Sequence, residues 1–302
     1  MTSVADRFAA LVASGHVPSV AYAVADDSGV TVDAVGADPA SAVYEIGSVT
    51  KVFTGLLLAD LVSDGTVRLE DPAARYLDGA EGPVTLLQLA THTSGLPRLP
   101  PGLRRQAVLH LGDPYARYRA GQLVRAARRS LSTAAGGPYA YSNYGYGLLG
   151  YLLGQAAGEP YEALVASRVL DPLGLKSTGF DGQPVQGTRR GNPVPPWHFG
   201  VLSACGGLRS TAADLAVFLR ACLEPTEVIG LALEPRADIG PGRRIGLAWQ
   251  HSGDVIWHNG ATGGFSSMIA FNPARRTGIV ALTNAGGVPP SPLERPVLDA
   301  VR

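Results

Sequence analysis

Apolar positions recur along this chain in two periods, and the switches between them outline a fold. Val4, Phe8, Leu11 and Val12 share one face of a helix over residues 1–13. Residues 19–25 and 30–35 read as strands joined by the hairpin turn Asp26-Asp27-Ser28-Gly29. A loop then leads through Val43-Tyr44-Glu45-Ile46 into a segment that is apolar almost all round: Val52, Phe53, Leu56, Leu57, Leu58, Leu61 and Val62. That pattern predicts a helix running through the core, ended at Asp64-Gly65. From Asp71 onward Pro and Gly break the chain into short helices, over 71–77, 85–91, 122–131, 143–157 and 160–169. Gly145, Gly147 and Gly150 inside the 143–157 helix point to close packing near a site. Residues 181–196 show no periodicity and read as a loop. Ser210-Thr211 caps a helix that runs to about Cys222. Strands follow over 245–250, 254–258, 265–271 and 278–283, at a spacing that makes them antiparallel, and a helix over 293–302 closes the chain. Sheet elements therefore lie at both ends and helices in the middle. The expected fold is α+β, with a sheet domain from residues 1–70 and 201–302 and a mostly helical domain from 71–200.

Composition narrows the function classes. At 302 residues with 46% hydrophobic positions, the chain can build a sizeable core as one large domain or two intimately joined ones. Its formal net charge is zero, which argues against a nucleic-acid or anionic-membrane partner. The paired arginines, Arg104-Arg105, Arg128-Arg129, Arg189-Arg190 and Arg243-Arg244, are dispersed and read as solvated faces rather than a binding stripe. Cys205 and Cys222 are too few for a disulfide framework and sit in apolar company. The N-terminus has no basic region followed by an apolar run and a cleavage site, and no apolar run is long enough to span a bilayer. The expectation from these features is a soluble, cytoplasmic protein. The six histidines are scattered without the paired spacing of a zinc site, so neither metal nor cofactor is expected.

The candidate chemistry centres on Gly47-Ser48-Val49-Thr50-Lys51, where the core helix begins. Residues three apart share a helix face, so Lys51 can serve Ser48. A lysine turned into an apolar interior loses the solvation of its charged form and becomes a proton acceptor. A serine beside free backbone N–H groups becomes an activated nucleophile. The bland alternative makes Ser48 an N-cap and Lys51 a snorkelling surface residue. Lysine usage weighs against it: the chain has two lysines, Lys51 and Lys176, against twenty-three arginines. With nineteen serines, an S-x-x-K would arise by chance only about 0.1 times. A retained lysine suggests chemistry that guanidinium, always protonated, cannot perform.

Three further stretches carry polar groups of interest. Tyr141-Ser142-Asn143 precedes the glycine-bearing helix; Tyr141 can share proton transfer with Lys51, or simply pack and help cap the helix. His258-Asn259-Gly260-Ala261 lies at a strand edge, where glycine allows another backbone to approach and an N–H can join that of Ser48 in an oxyanion hole; the alternative is a glycine-rich hairpin loop. His92-Thr93-Ser94-Gly95-Leu96-Pro97 offers a second Ser and His, but no Gly-x-Ser-x-Gly turn is present, and His92 reads as a residue fixing a helix end and loop.

In order along the chain, Ser48-x-x-Lys51, Tyr141-x-Asn143 and His258-Asn259-Gly260 resemble the S-x-x-K, Y-x-N and K-T-G-like elements of the serine β-lactamase and penicillin-binding-protein superfamily, the third in its H-x-G form. The branch they are most similar to holds class C β-lactamases, D-specific carboxypeptidases and related esterases. HTSGLP at 92–97, GLRSTAADLAVFL at 207–219 and the stretch 271–284 extend the resemblance over nearly the whole chain. It implies a β-lactamase/transpeptidase-like fold, an antiparallel sheet flanked by helices beside a mostly helical domain, with the active site in the cleft between them. It also implies roles. Ser48 attacks a carbonyl and is acylated, while Lys51 and Tyr141 share the general-base and later general-acid work. The backbone N–H groups of Ser48 and Ala261 hold the oxyanion. Asn143 contacts the substrate amide or steadies Lys51, and His258 and Gly260 belong to the substrate-binding strand. His258 stands where true β-lactamases carry a carboxylate-binding Lys, a departure that lowers the expected affinity for penicillins.

The resulting expectation is a serine hydrolase forming an acyl-enzyme on Ser48, an esterase or amidase acting on a small ester, amide or lactam, with D-specific peptidase or weak β-lactamase activity within reach. An acyltransferase of a biosynthetic pathway needs the same first half-reaction. A catalytically silent binding protein could keep the same fold. The sequence does not give the oligomeric state.

Overall fold

The computed structural model describes residues 3–105, 112–287 and 291–302. Its strands are β1 (Val20–Asp26), β2 (Gly29–Val35), β3 (Tyr44–Glu45), β4 (Gly187–Arg189), β5 (Asn192–Val194), β6 (Arg209–Ser210), β7 (Ala237–Gly240), β8 (Arg243–Ile245), β9 (Gln250–Ser252), β10 (Val255–Ala261), β11 (Ser266–Asn272) and β12 (Thr277–Thr283). Eight of them form one antiparallel sheet in the order β2-β1-β12-β11-β10-β9-β8-β7. The N-terminal hairpin joins the C-terminal meander through β1 and β12, with Val20 opposite Thr283 and Ala25 opposite Gly278. Two-residue alternation sorts the side chains onto the two faces. Tyr22, Met268, Ala270, Ile279 and Ala281 meet Phe8, Val297 and Val301 of the terminal helices Val4–Ala13 and Glu294–Val301. Ala21, Ala23, Ile269, Val280 and Leu282 turn the other way, into the main core. Both faces are covered, which is why β11 is buried at every position.

The core helix, Thr50–Ser63, is buried at every residue from Thr50 to Ala59. It ends as the sequence predicts, at Asp64 followed by Gly65 with φ +81°. Residues 245–250, expected as one strand, are instead the end of β8, a turn and the start of β9. The reason is this helix. A Cβ on Gly55 would stand 2.3 Å from the Leu247 carbonyl, so the loop 246–249 lies directly on it. Leu247 and Trp249 leave the sheet to fill the core, and Trp249 packs on Phe218 and edge-on against Phe271. Residues 181–196, expected as a loop, contain the small β4–β5 hairpin. The short helix Glu227–Leu233 and strands β3, β6 and β7 also had no clear pattern in the sequence.

Helix Asn143–Ala157 forms over the predicted residues, capped by the Ser142 hydroxyl and closed by Gly158 at φ +73°. Its glycines act as expected. A Cβ on Gly147 would meet Leu202 Cδ2 at 2.3 Å, and one on Gly150 would meet Ala204 Cβ at 2.2 Å. The turn Gly200–Cys205 thus rests on the bare helix surface and delivers the Cys205 carbonyl to the interior. Among the described residues, no helix is long and apolar enough to cross a membrane.

Gly150→Ala should therefore destabilise the protein although alanine is the better helix former. Overpacking against Ala204 costs about 2 kcal/mol, more than the ~1 kcal/mol gained in helix propensity. The expected result is a melting midpoint lower by a few degrees. An unchanged or higher midpoint would show that the 200–205 turn is not held by this contact.

Candidate active site

Residues Gly47–Val49 make a tight turn ahead of the core helix, so Ser48 stands just before the helix rather than inside its first α-turn. Its side chain caps nothing. Lys51 is fully buried. Its Nζ lies 3.1 Å from Ser48 Oγ, 2.9 Å from Asn143 Oδ1 and 2.6 Å from the Cys205 carbonyl oxygen. Asn143 spends its amide hydrogens elsewhere, Nδ2 donating to the Tyr115 hydroxyl at 3.0 Å, so its Oδ1 is the face turned to the lysine. These contacts remove the reading of Lys51 as a surface residue. They also have a chemical meaning. The Cys205 and Asn143 oxygens can only accept. Both therefore take hydrogens from Nζ, and Ser48 Oγ completes the set of three oxygens around it.

Tyr141 flanks this cluster by its ring, with Lys51 Nζ 4.9 Å from the centroid; Tyr146 lies 5.6 Å away on another side. No hydrogen bond joins the Tyr141 hydroxyl to Ser48 or Lys51. The ring is held by His92, whose own ring is 4.4 Å away. His92 adopts a left-handed backbone, φ +59°, and its carbonyl accepts from Ala140 N at 2.8 Å. Its Nδ1 accepts from Ser142 N at 3.0 Å, which fixes the neutral tautomer with hydrogen on Nε2. Burial, and after it the Lys51 charge, hold this imidazole well below its ordinary pKa. Ser142 in turn donates to the Pro97 carbonyl and accepts from Gly145 N. The 92–97 stretch is thus the support of Tyr141 and Asn143, as expected for His92, and not a second nucleophile site.

The third predicted element lies within β10 rather than in a hairpin loop; the turn comes after it, at 262–265. Gly260 is required: a Cβ there would stand 2.1 Å from the Ile46 carbonyl and 2.9 Å from Ser48 N. Gly47 approaches from the other side, where a Cβ would be 2.8 Å from Ala261 N. The backbones of Ser48 and Ala261 are therefore brought together, and Ser267 Oγ pins the Ile46 carbonyl at 2.7 Å. His258 is not on the cavity wall. It is buried beneath the strand with Nδ1 2.7 Å from the Asn259 carbonyl, so it carries its hydrogen on Nδ1, opposite to His92. The side chain of this element that lines the cavity is that of Asn259. Just upstream, buried Glu45 accepts from Trp197 N and Thr262 Oγ1, both at 2.6 Å, and lies 3.9 Å from the Arg209 guanidinium. Desolvation raises its pKa, against the lowering pull of those hydrogen bonds.

These residues line a cavity of about 900 Å³. Ser48, Tyr141, Asn143, Gly260 and Ala261 are on its wall, together with Tyr115, Trp197, Leu99, Leu103, Arg98 and Arg104. Tyr115 stacks on Phe199 at 4.5 Å and leans on Trp197 at 5.5 Å, a rigid aromatic side. Sequence reasoning missed this side, and it assigned Arg104 to a solvated face. It also missed the Cys205 carbonyl, since a backbone oxygen leaves no mark in a sequence.

The family model described as Beta-lactamase matches residues 4–301. Among curated proteins, the chain is 30% identical to the D-alanyl-D-alanine-carboxypeptidase/endopeptidase AmpH of Escherichia coli (strain K12), covering 78% of this chain and 69% of that protein. It is 27% identical to a beta-lactamase of the same organism, covering 80% and 75%. It is 30% identical to the putative beta-lactamase-like 1 of Homo sapiens, covering 85% of this chain and 58% of that one.

Two buried neutral imidazoles make a pH signature. Burial chiefly, with Lys51 adding, pushes His258 down to about 3, while its bond to Asn259 pulls the other way. An unfolded histidine takes up its proton near 6.5. Between these values the unfolded chain binds more protons than the folded one, so stability rises with pH across the window and is lost as pH falls through it. Denaturant unfolding between pH 7 and pH 4 should show a decline of up to about 1.4 kcal/mol per pH unit for each such histidine. His258→Gln should flatten the slope. Parallel slopes in the variant and the wild type would refute the assignment.

Proposed function

The chain belongs to the beta-lactamase family, and from that premise we propose that it is a hydrolase that forms an acyl-enzyme on Ser48, acting as an esterase or amidase on a small substrate. The observation that carries the reading is the fully buried Lys51 amine within 3.1 Å of Ser48 Oγ. As Ser48 Oγ attacks the carbonyl carbon, its proton passes to the Lys51 lone pair. The carbonyl oxygen, now negative, is received by the N–H groups of Ser48 and Ala261. Collapse of the tetrahedral adduct breaks the bond to the leaving group, which takes a proton from the Lys51 ammonium or from Tyr141 on the cavity wall. Water then attacks the acyl-enzyme with the same groups in reverse. Asn143 steadies Lys51 and faces the cavity, so it can also contact the substrate. The kinship with a protein named a D-alanyl-D-alanine carboxypeptidase/endopeptidase makes a peptide amide a substrate class to include beside simple esters.

Intact-protein mass spectrometry tests this. The protein is exposed to a p-nitrophenyl ester, a chromogenic cephalosporin, a D-alanyl peptide and a fluorophosphonate, each alongside Ser48→Ala. An adduct confined to the wild type is expected; adducts of equal mass in the variant would place the nucleophile elsewhere. Lys51→Arg should lose at least 100-fold in turnover, because guanidinium cannot accept the serine proton. Retention of most activity would transfer the base to Tyr141.

A further inference from the structure

Two guanidinium groups, Arg98 and Arg104, stand on the wall of the Ser48 cavity, and no carboxylate shares that wall. Neither arginine has an ion-pair partner among the described residues, and residues 1–2, 106–111 and 288–290 contain no Asp or Glu. The nearest acids behind the cavity are committed. Glu45 is bound to Trp197 N and Thr262, and Asp113 Oδ2 lies 2.8 Å from His198 Nδ1. Arg98 is also placed. Its guanidinium lies 5.1 Å from the centroid of the Tyr141 ring, the ring that stands 4.9 Å from Lys51 Nζ. The Arg98 carbonyl accepts from the N–H groups of Asn143 and Tyr144, so the segment that carries the arginine is fastened to the helix that carries Asn143. One aromatic ring therefore lies between the exposed Arg98 guanidinium and Lys51. The rest of that side, Leu99, Leu103, Pro114 and Tyr115, is apolar, and charge placed against such a wall is screened less than in open water.

We propose that Arg98 and Arg104 read a carboxylate on the substrate, so that this site favours anionic acyl compounds over neutral ones of the same size. The proposal rests on the Ser48 acyl-enzyme reading for its chemistry, and its test is separable from it. The arginines reach the cavity from the 98–104 segment. They can thus supply the positive charge that the strand itself lacks, where His258 is buried and neutral. Guanidinium, with its planar fork of donors, suits a carboxylate.

The probes are two p-nitrophenyl esters with five-carbon acyl chains, the neutral pentanoate and the mono-ester of glutarate. Binding is measured by calorimetry in the Ser48→Ala protein, which decides the question whether or not either ester is turned over. The glutarate ester is expected to bind at least tenfold more tightly, and the preference should shrink at high salt. Adding Arg98→Gln and Arg104→Gln together should remove the preference while leaving the pentanoate affinity within twofold and the melting midpoint unchanged. In the wild type the same pair of substitutions should raise KM for the glutarate ester about tenfold with little change in kcat. Equal affinities for the two esters, or a preference that survives the double substitution, overturns the proposal. Turnover of the neutral ester with no preference leaves the acyl-enzyme reading standing, whereas absence of a Ser48 adduct with the fluorophosphonate would defeat that reading alone.

Discussion

The structure turns on the burial of one amine. Lys51 has no exposure, and an ammonium or amine without partners in such a place would cost several kcal/mol. The chain meets that demand with oxygens from three separate stretches: Ser48 one turn away, Asn143 at the head of a distant helix, and the Cys205 carbonyl at the end of the 200–205 turn. None of these can move without leaving the lysine short. Placing the amine therefore fixes how the two ends of the sequence and its middle meet. The same contacts orient the amine, since two obligate acceptors fix two of its three directions and the third points at Ser48 Oγ.

Close approach of backbones is the means by which these stretches meet. Gly147 and Gly150 let the 200–205 turn lie on the helix and so carry the Cys205 carbonyl inward. Gly260 lets β10 touch the Ile46 carbonyl and the Ser48 amide. Gly55 lets the 246–249 loop settle on the core helix, and this takes Leu247 and Trp249 out of the sheet. A side chain at any of these points would separate two elements by the width of a methyl group. The glycines thus act as spacers of zero thickness, and the electrostatics of the site depend on them.

This division explains what the sequence showed and what it hid. The Ser48–Lys51 pair was legible from helix period and lysine usage, whereas Tyr141 and Asn143 stood out through the resemblance of their motif, since the residues alone left packing and helix capping open. The sheet at both ends and the helix over residues 143–157 were legible from alternation and from the Gly158 exit. The 245–250 error arose because Ile245, Leu247 and Trp249 alternate like a strand, yet only Ile245 stays in the sheet while Leu247 and Trp249 turn into the core. Periodicity reports that a side chain is buried but not what buries it. His258 illustrates the same limit. The motif names it as a substrate-binding residue, but the register of β10 turns it beneath the strand and leaves Asn259 on the cavity wall. Arg98 and Arg104 were invisible as site residues because cavity walls are assembled by tertiary contact, with no local period to betray them.

The two histidines add a last constraint on how the site can work. His92 and His258 both neighbour Lys51, and both are held neutral by burial before any influence of its charge. They carry their hydrogens on opposite nitrogens because one accepts from the Ser142 amide and the other faces the Asn259 carbonyl. Their role is thus to fill polar space around a lysine without bringing a second charge. Had either been a carboxylate, it would have drawn the lysine into an ion pair and held it protonated. Had either been another lysine or an arginine, two cations would have shared one desolvated pocket. Neutral imidazoles, each fixed by one backbone hydrogen bond, add no charge to the pocket that holds the amine.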